Sequence, residues 1–225
     1  MNKKLYQLMF LVITLTILFS TTAMANNSLS FGAGYLSDNN GSAIETLRLS
    51  YLDSGNKDFL PSILQLNLGN REKDDFKQKF TQFNISLLKE LNFLPGNNYV
   101  GLGFNSVDHE EQTNEYLAEK KTYSFPIRLT GQTPIYKNIY LNNDLLYHPY
   151  GTYSVSTNHG LEFSGNYTGY QLESGIEYLF SNNFSIYSNY NYQKDFYGED
   201  LTAEEPIAEH SDSYSGVIAG AKLKF

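Results

Sequence analysis

Apolar residues recur at every second position through ten stretches of this chain, and Ser, Thr, Asn, Gln, Gly and a few charges fill the places between them. In SLSFGAGYLS, Leu29, Phe31, Ala33 and Tyr35 share one face, with Ser30, Gly32 and Gly34 on the other. The same period returns in IETLRLSYL, SILQLNLG, FTQFNISLL, YVGLGFNS, TYSFPIRLT, NIYLNNDLLYH, GYQLESGIEYLF and FSIYSNYNYQ, and it ends in GVIAGAKLKF. A two-residue period marks a strand with one apolar face, so the pattern predicts ten β-strands and no helix. Segments 44–52 and 62–69 are short for a tilted membrane span of about 9–11 residues, which leaves eight strands as the alternative count.

Alternation alone fits a soluble sandwich, with the apolar face in a core, or a membrane barrel, with the apolar face on lipid. The connections discriminate. NREKDDFKQK, DHEEQTNEYLAEKK, YGTYSVSTNHGLEFSGN and DFYGEDLTAEEPIAEHSD alternate with the shorter DSGNKDFLP, NFLPGNN, TPIYKN and SNN; DNNG is the one short member of the long set. Sorting of long and short connections to opposite ends is the habit of outer-membrane barrels. The expected fold is therefore all-β, a single antiparallel transmembrane β-barrel with both termini periplasmic. Tyr35, Tyr51, Tyr99, Tyr123, Tyr147, Phe180 and Phe184 near strand ends suit aromatic girdles at the two interfaces.

The ends and the composition agree. Residues 1–25 read as a secretory signal peptide: a basic start, the apolar run LMFLVITLTILF, then Ala23 and Ala25 in an A-x-A arrangement. That run is below the roughly 20 residues of a spanning helix, so cleavage after Ala25 is expected, leaving the barrel domain at 26–225. Cleavage removes Lys3 and Lys4 and no acids, moving the formal charge from −8 to −10. No basic nucleic-acid footprint exists. With no cysteine, neither a disulfide framework nor a thiolate metal site is possible. The chain carries 19 Tyr, 15 Phe and no Trp, so Tyr must supply the girdles. The last strand, with Leu223 and the terminal Phe225, resembles the signal by which barrel-assembly machinery recognises its substrates.

The stretches IYLNNDLLYHPYGTYSV and GYQLESGIEYLFSNNFSIYSNYNYQ contain Tyr147, His148 and Pro149, then Gly175, Ile176, Glu177 and Tyr178. This C-terminal half resembles the YfaZ-type small outer-membrane proteins, which implies an outer-membrane location and no established enzymatic role.

Candidate chemistry lies mainly on the polar face. Arg48, Arg128, Asp144, Glu173, Glu177 and Lys222 fall near mid-strand there. A lone buried charge is costly, so these are expected to pair inside the lumen; the sharper reading is a narrow ion pathway. A TPIYKN hairpin centred near Tyr136 would set Arg128 opposite Asp144. In EHSDS, His210 and Asp212 share a face while Ser211 points away, so a triad does not assemble locally. A barrel hydrolase acting on lipid A or peptides at the outer rim is the enzymatic alternative to a non-catalytic barrel. His109 with Glu110 and Glu111 lacks a second ligand cluster, so no metal, cofactor or catalytic residue is assigned. The acids Asp74, Asp75, Glu110, Glu111, Glu115, Glu119, Glu199, Asp200, Glu204, Glu205, Glu209 and Asp212 read as a solvated rim, with weak Ca²⁺ or Mg²⁺ binding toward lipopolysaccharide phosphates as the sharper option. The expected partners are outer-membrane lipid, lipopolysaccharide and the assembly machinery, with the chain a monomer.

Overall fold

The computed structural model describes residues 27–39, 41–53, 61–73, 75–198 and 210–225. The expected cleavage residues Ala23 and Ala25, and the acids Asp74, Glu199, Asp200, Glu204, Glu205 and Glu209, lie outside them. Eleven strand segments form one antiparallel sheet: β1 (Ser28–Ser37), β2 (Ala43–Asp53), β3 (Ser62–Lys73), β4 (Phe76–Glu90), β5 (Asn97–Gln112), β6 (Leu117–Ser124), β7 (Ile127–Tyr136), β8 (Ile139–Thr157), β9 (Glu162–Ser181), β10 (Phe184–Tyr197) and β11 (His210–Lys224). The sheet closes where β1 pairs with β11 from Ser28↔Lys224 to Ser37↔Ser215. Beyond that ladder, Asn27 and Phe225 exchange backbone hydrogen bonds of 3.0 and 2.9 Å. Closure leaves no edge, which a strand protein in lipid requires because unpaired backbone groups there cost several kcal/mol each.

The segments occupy ten strand positions around the barrel, as the alternation predicted. β6 and β7 share one position. β6 pairs with the upper parts of β5 and β8, and β7 pairs with their lower parts. The stretch TYSFPIRLT is thus one strand interrupted at Phe125–Pro126, where proline has no backbone N–H to donate. Beside it, β8 carries a bulge between His148 and Gly151. The Phe125 N–H, donating to the Tyr150 carbonyl at 3.3 Å, bridges that gap from β6–β7 to β8.

The barrel is inside out relative to a soluble domain. Leu102 is 69% exposed on the outer wall, while Asn105, three residues on, is fully buried. Leu64, Ile85, Leu87, Ile176, Val217 and Leu223 are exposed with it, and Gln65, Asn84, Ser86, Glu177 and Ser185 are buried. Glycines on the polar face of the closing strands are there because the interior is crowded. A Cβ on Gly32 would come within 2.5 Å of the Tyr187 hydroxyl, and one on Gly220 within 2.7 Å. The outward apolar run ends at Tyr35 on β1, Tyr192 on β10 and Val217 on β11, and these stretches are the membrane-spanning segments. Past them the outer wall carries Asp108, Glu110, Glu119, Lys121 and Lys194.

Three sequence expectations are corrected. Most of the long loops are strand: β3 runs to Lys73 and β4 starts at Phe76, β5–β6 turn at 113–116 and β8–β9 at 158–161. Above the lipid the outer wall is polar and aromatics such as Tyr153 and Tyr167 turn inward, so the period of two continues without the outward apolar residues that mark the spanning strands. Tyr99 does not join a girdle. It has the parity of Gly101 and Gly103 and faces the lumen. Arg128 stands opposite Leu146, and Asp144 opposite Thr130, because the β7–β8 hairpin turns at Lys137–Asn138 with an irregularity at Pro134–Tyr136.

Candidate functional site

The lumen divides into three layers, each made by inward side chains at one height. The middle layer is a cross-lumen plug. Arg128 on β7 reaches diagonally to Asp144 on β8 in a two-bond pair, with Nε to Oδ1 at 2.9 Å and Nη2 to Oδ2 at 2.5 Å. The same guanidinium donates to Asn84 Oδ1 on β4 and Gln65 Oε1 on β3, each at 3.0 Å. Arg48 on β2 pairs across the barrel with Glu173 on β9 and donates from Nε to Asn67 Oδ1 at 2.9 Å. Glu173 also accepts from Asn189 Nδ2 at 2.6 Å and Asn191 Nδ2 at 3.3 Å.

Amides extend the plug. Asn67 Nδ2 donates to Gln82 Oε1 at 2.8 Å, and Gln82 Nε2 donates to Asn105 Oδ1 at 3.1 Å and to Gln171 Oε1 on β9 at 3.5 Å. Asn105 in turn donates to Ser124 Oγ at 3.5 Å, and Ser124 lies 2.9 Å from His148 Nδ1. The network therefore runs through β9, β2, β3, β4, β5, β6 and β8. Charge-assisted and bidentate bonds are the strong members of such a network, and with every charge paired the desolvation cost is met within it.

Below the plug is a vestibule of about 710 Å³ at the end that carries Ser28 and Phe225. Lys222 and Lys224 line it and both reach Glu177 behind them. The Glu177 carboxylate is fully buried and pairs with Lys222; it accepts from Gln132 at 2.8 Å, Asn142 at 3.1 Å and Ser185 at 2.7 Å, with Lys224 Nζ 3.7 Å away.

Above the plug a cavity of about 40 Å³, room for a water or two, is lined by Leu36, Phe80, His109, Lys120, Asp195 and Tyr214 among others. Lys120 Nζ donates to Asp212 at 2.8 Å and sits 4.2 Å from the Tyr197 ring centroid. Asp195 accepts from Tyr167 Oη at 2.7 Å and Gln193 Nε2 at 2.8 Å. Gln78 Nε2 lies 2.8 Å from His109 Nε2. Tyr153, Tyr167 and Tyr197 cluster at this end.

Two buried groups in the upper layer, beyond the spanning segments, have displaced acidities. Burial lowers His109 to about 4, with Lys120 pushing the same way. Burial raises Asp195 to about 6 against the hydrogen bonds from Tyr167 and Gln193. The two act on stability in opposite directions. His109 stays neutral when folded, so its contribution falls as pH drops from 6.5 toward 4. Asp195 keeps its proton when folded, so its contribution is full below 3.8 and is lost as pH rises through about 6. Their slopes largely cancel in the parent. Asp195→Asn leaves His109 unopposed, and stability should then rise by up to about 3 kcal/mol from pH 4 to 6.5, at about 1.4 kcal/mol per pKa unit. Urea unfolding at a series of pH values measures this; parallel profiles for parent and variant would refute it.

The residues weighed for catalysis do not converge. His210 stacks on Tyr197 with ring centroids 4.7 Å apart, whereas Asp212 is engaged by Lys120. Ser124 and His148 are a hydroxyl–imidazole pair that the sequence reading missed. Both are buried in the lumen wall, beside the β8 bulge, away from either cavity's lining. Among the described residues no three His, Cys, Asp or Glu side chains gather as a metal site. Also missed were the plug amides, although the pairs Gln65/Asn67, Gln82/Asn84 and Asn189/Asn191 repeat one spacing on the polar face. Each pair puts two amides in the lumen from one strand, a readable signal for a hydrogen-bonded interior.

The outer membrane protease OmpT from Escherichia coli superposes with a TM-score of 0.61 at 11% identity, covering 91% of this chain and all of that one. The fold is that of a bacterial outer-membrane β-barrel. The translocator domain of the autotransporter NalP from Neisseria meningitidis gives 0.46 at 11% identity, over 91% of this chain and 90% of that one. Neisserial surface protein A gives 0.37 at 13% identity, over 88% and 96%. No family model matches the sequence, and no curated protein matches it.

Proposed function

We propose that this protein is a non-enzymatic outer-membrane barrel with a shut lumen, serving a structural or surface-interaction role and not conduction. The observation that carries this reading is the plug: two arginine–carboxylate pairs and a relay of amides join opposite walls at mid-height. A ten-strand interior is only slightly wider than one that side chains fill completely, so a layer bonded in this way leaves no continuous water path.

Membership of the YfaZ-like group belongs to the same proposal, supported by the Tyr147–Pro149 and Gly175–Tyr178 stretches. So do export through the leader with cleavage after Ala25, assembly through the Leu223 and Phe225 signal, monomeric insertion, and contact with lipopolysaccharide at the outer rim. Orientation with the termini in the periplasm is supported by the short turns at that end.

The test is planar-bilayer recording of the refolded mature chain. The expected record is flat, with at most brief small openings. A large steady conductance from the unmodified protein would refute the closed lumen.

A further inference from the structure

We propose that the vestibule below the plug is a binding pocket for a neutral, hydroxyl-rich ligand, a sugar of one or two rings taken up from the periplasmic side. The inference rests on the closed-lumen reading, because the plug makes this space a dead-ended pocket and not one arm of a channel. At about 710 Å³ it falls within the roughly 300–1,000 Å³ typical of small-molecule sites.

The lining specifies the chemistry. Its interior charges are paired: Arg48 with Glu173, Arg128 with Asp144, and Lys222 with the Glu177 carboxylate behind the lining, which Lys224 also approaches; Glu90, also in the lining, is exposed to water. A charged guest therefore meets no unbalanced partner among these interior groups, and desolvating it there would cost free energy without return. What remains is hydroxyl capacity from Ser28, Ser30, Ser50 and Thr130, which both donate and accept, and the Gln132 carbonyl oxygen, whose amide nitrogen is engaged by Asn142 and Glu177. Between these polar groups stand Leu52, Ile63, Tyr99 and Tyr187. A pyranose presents the same mixture, with hydroxyls around its edge and C–H groups on its faces. The inward turn of Tyr99, which the sequence pattern placed in a girdle, supplies an aromatic ring where such a face can stack.

The pocket is also preorganised. The Arg48 and Arg128 guanidiniums at its roof are held by Asn67, Asn84 and Gln65, and Glu177 is fixed from Gln132, Asn142 and Ser185. Rigid groups lose little freedom on binding, which favours even a small ligand.

The test uses the mature barrel refolded in a detergent without a sugar headgroup, with maltose and chitobiose as probes and glucuronate and glucosamine as charged comparators. Isothermal titration or saturation-transfer NMR should show saturable binding of a neutral disaccharide, in about the millimolar range expected of a small polar ligand. Ser50→Trp fills the vestibule from a position outside the ion-pair network. It should weaken that binding at least tenfold while heat-modifiable mobility shows the barrel still folded. Gln193→Ala, in the upper cavity, should leave it unchanged.

Absence of saturable binding, preference for a charged comparator, or equal binding by folded Ser50→Trp would overturn the site. Should Ser50→Trp not fold, Thr130→Trp takes its place with the same expectations. Bilayer recording on the same preparation separates the two proposals. A steady conductance that maltose blocks from one side would remove the closed lumen and keep the pocket; a steady conductance with no saturable binding would remove both.

Discussion

Asp144→Ala should destabilise the barrel by roughly 3–5 kcal/mol, the cost of leaving one member of a buried ion pair uncompensated. Arg128 is 3% exposed and sends two of its hydrogen bonds to Asp144. Its remaining partners, Asn84 and Gln65, are neutral amides that accept a hydrogen bond without balancing the charge. Arg128→Ala should cost less, because the Asp144 side chain borders the vestibule and is 15% exposed, so water can solvate it. The double variant should be milder than the sum of the singles, since it leaves no orphaned charge. Urea unfolding in detergent at neutral pH measures all three. Additive losses would mean that the lumen at this height is wet and the pair is solvated.

Removing both arginine–carboxylate pairs at once should convert a silent barrel into a conducting one. Arg48→Ser with Glu173→Ser, combined with Arg128→Ser and Asp144→Ser, deletes four long side chains from the middle layer and leaves no net charge behind. Water can then join the vestibule to the upper cavity, and steady single-channel openings should appear where the parent shows none. Either pair removed alone should give only brief openings, because the other still spans its half of the lumen through Asn84 and Gln65, or through Asn67, Asn189 and Asn191. A folded four-site variant that stays silent would assign closure to the Gln82–Gln171 layer instead.

How much of this was legible in the sequence depended on what each residue faces. Lipid imposes an apolar outer face, so every strand registers as alternation while it crosses the membrane; Ser28–Ser37 was readable to the residue. Where the strands rise above the lipid, water bathes the outer wall and polar residues replace the apolar ones on it. β5 and β6 thus continue through Asp108–Gln112 and Leu117–Lys121, which read as loop. The break at Phe125–Pro126 had a visible cause in the proline. The bulge beside it did not, since it depends on how β8 pairs with two different segments.

The sequence by itself determined the fold class and the alternation of the membrane-crossing strands, because alternation acts locally. Partner choice inside the lumen was decided only by the closed barrel. Arg48 and Glu173 lie 125 residues apart, and no spacing rule connects them. Closure in one register brings them to the same height on facing walls. Strand pairing likewise offset Arg128 from Asp144 and turned Tyr99 inward. It stacked the amides of β3, β4 and β5 into one bonded layer, because cross-lumen distance is set by strand number and register together, and neither is written at any single residue.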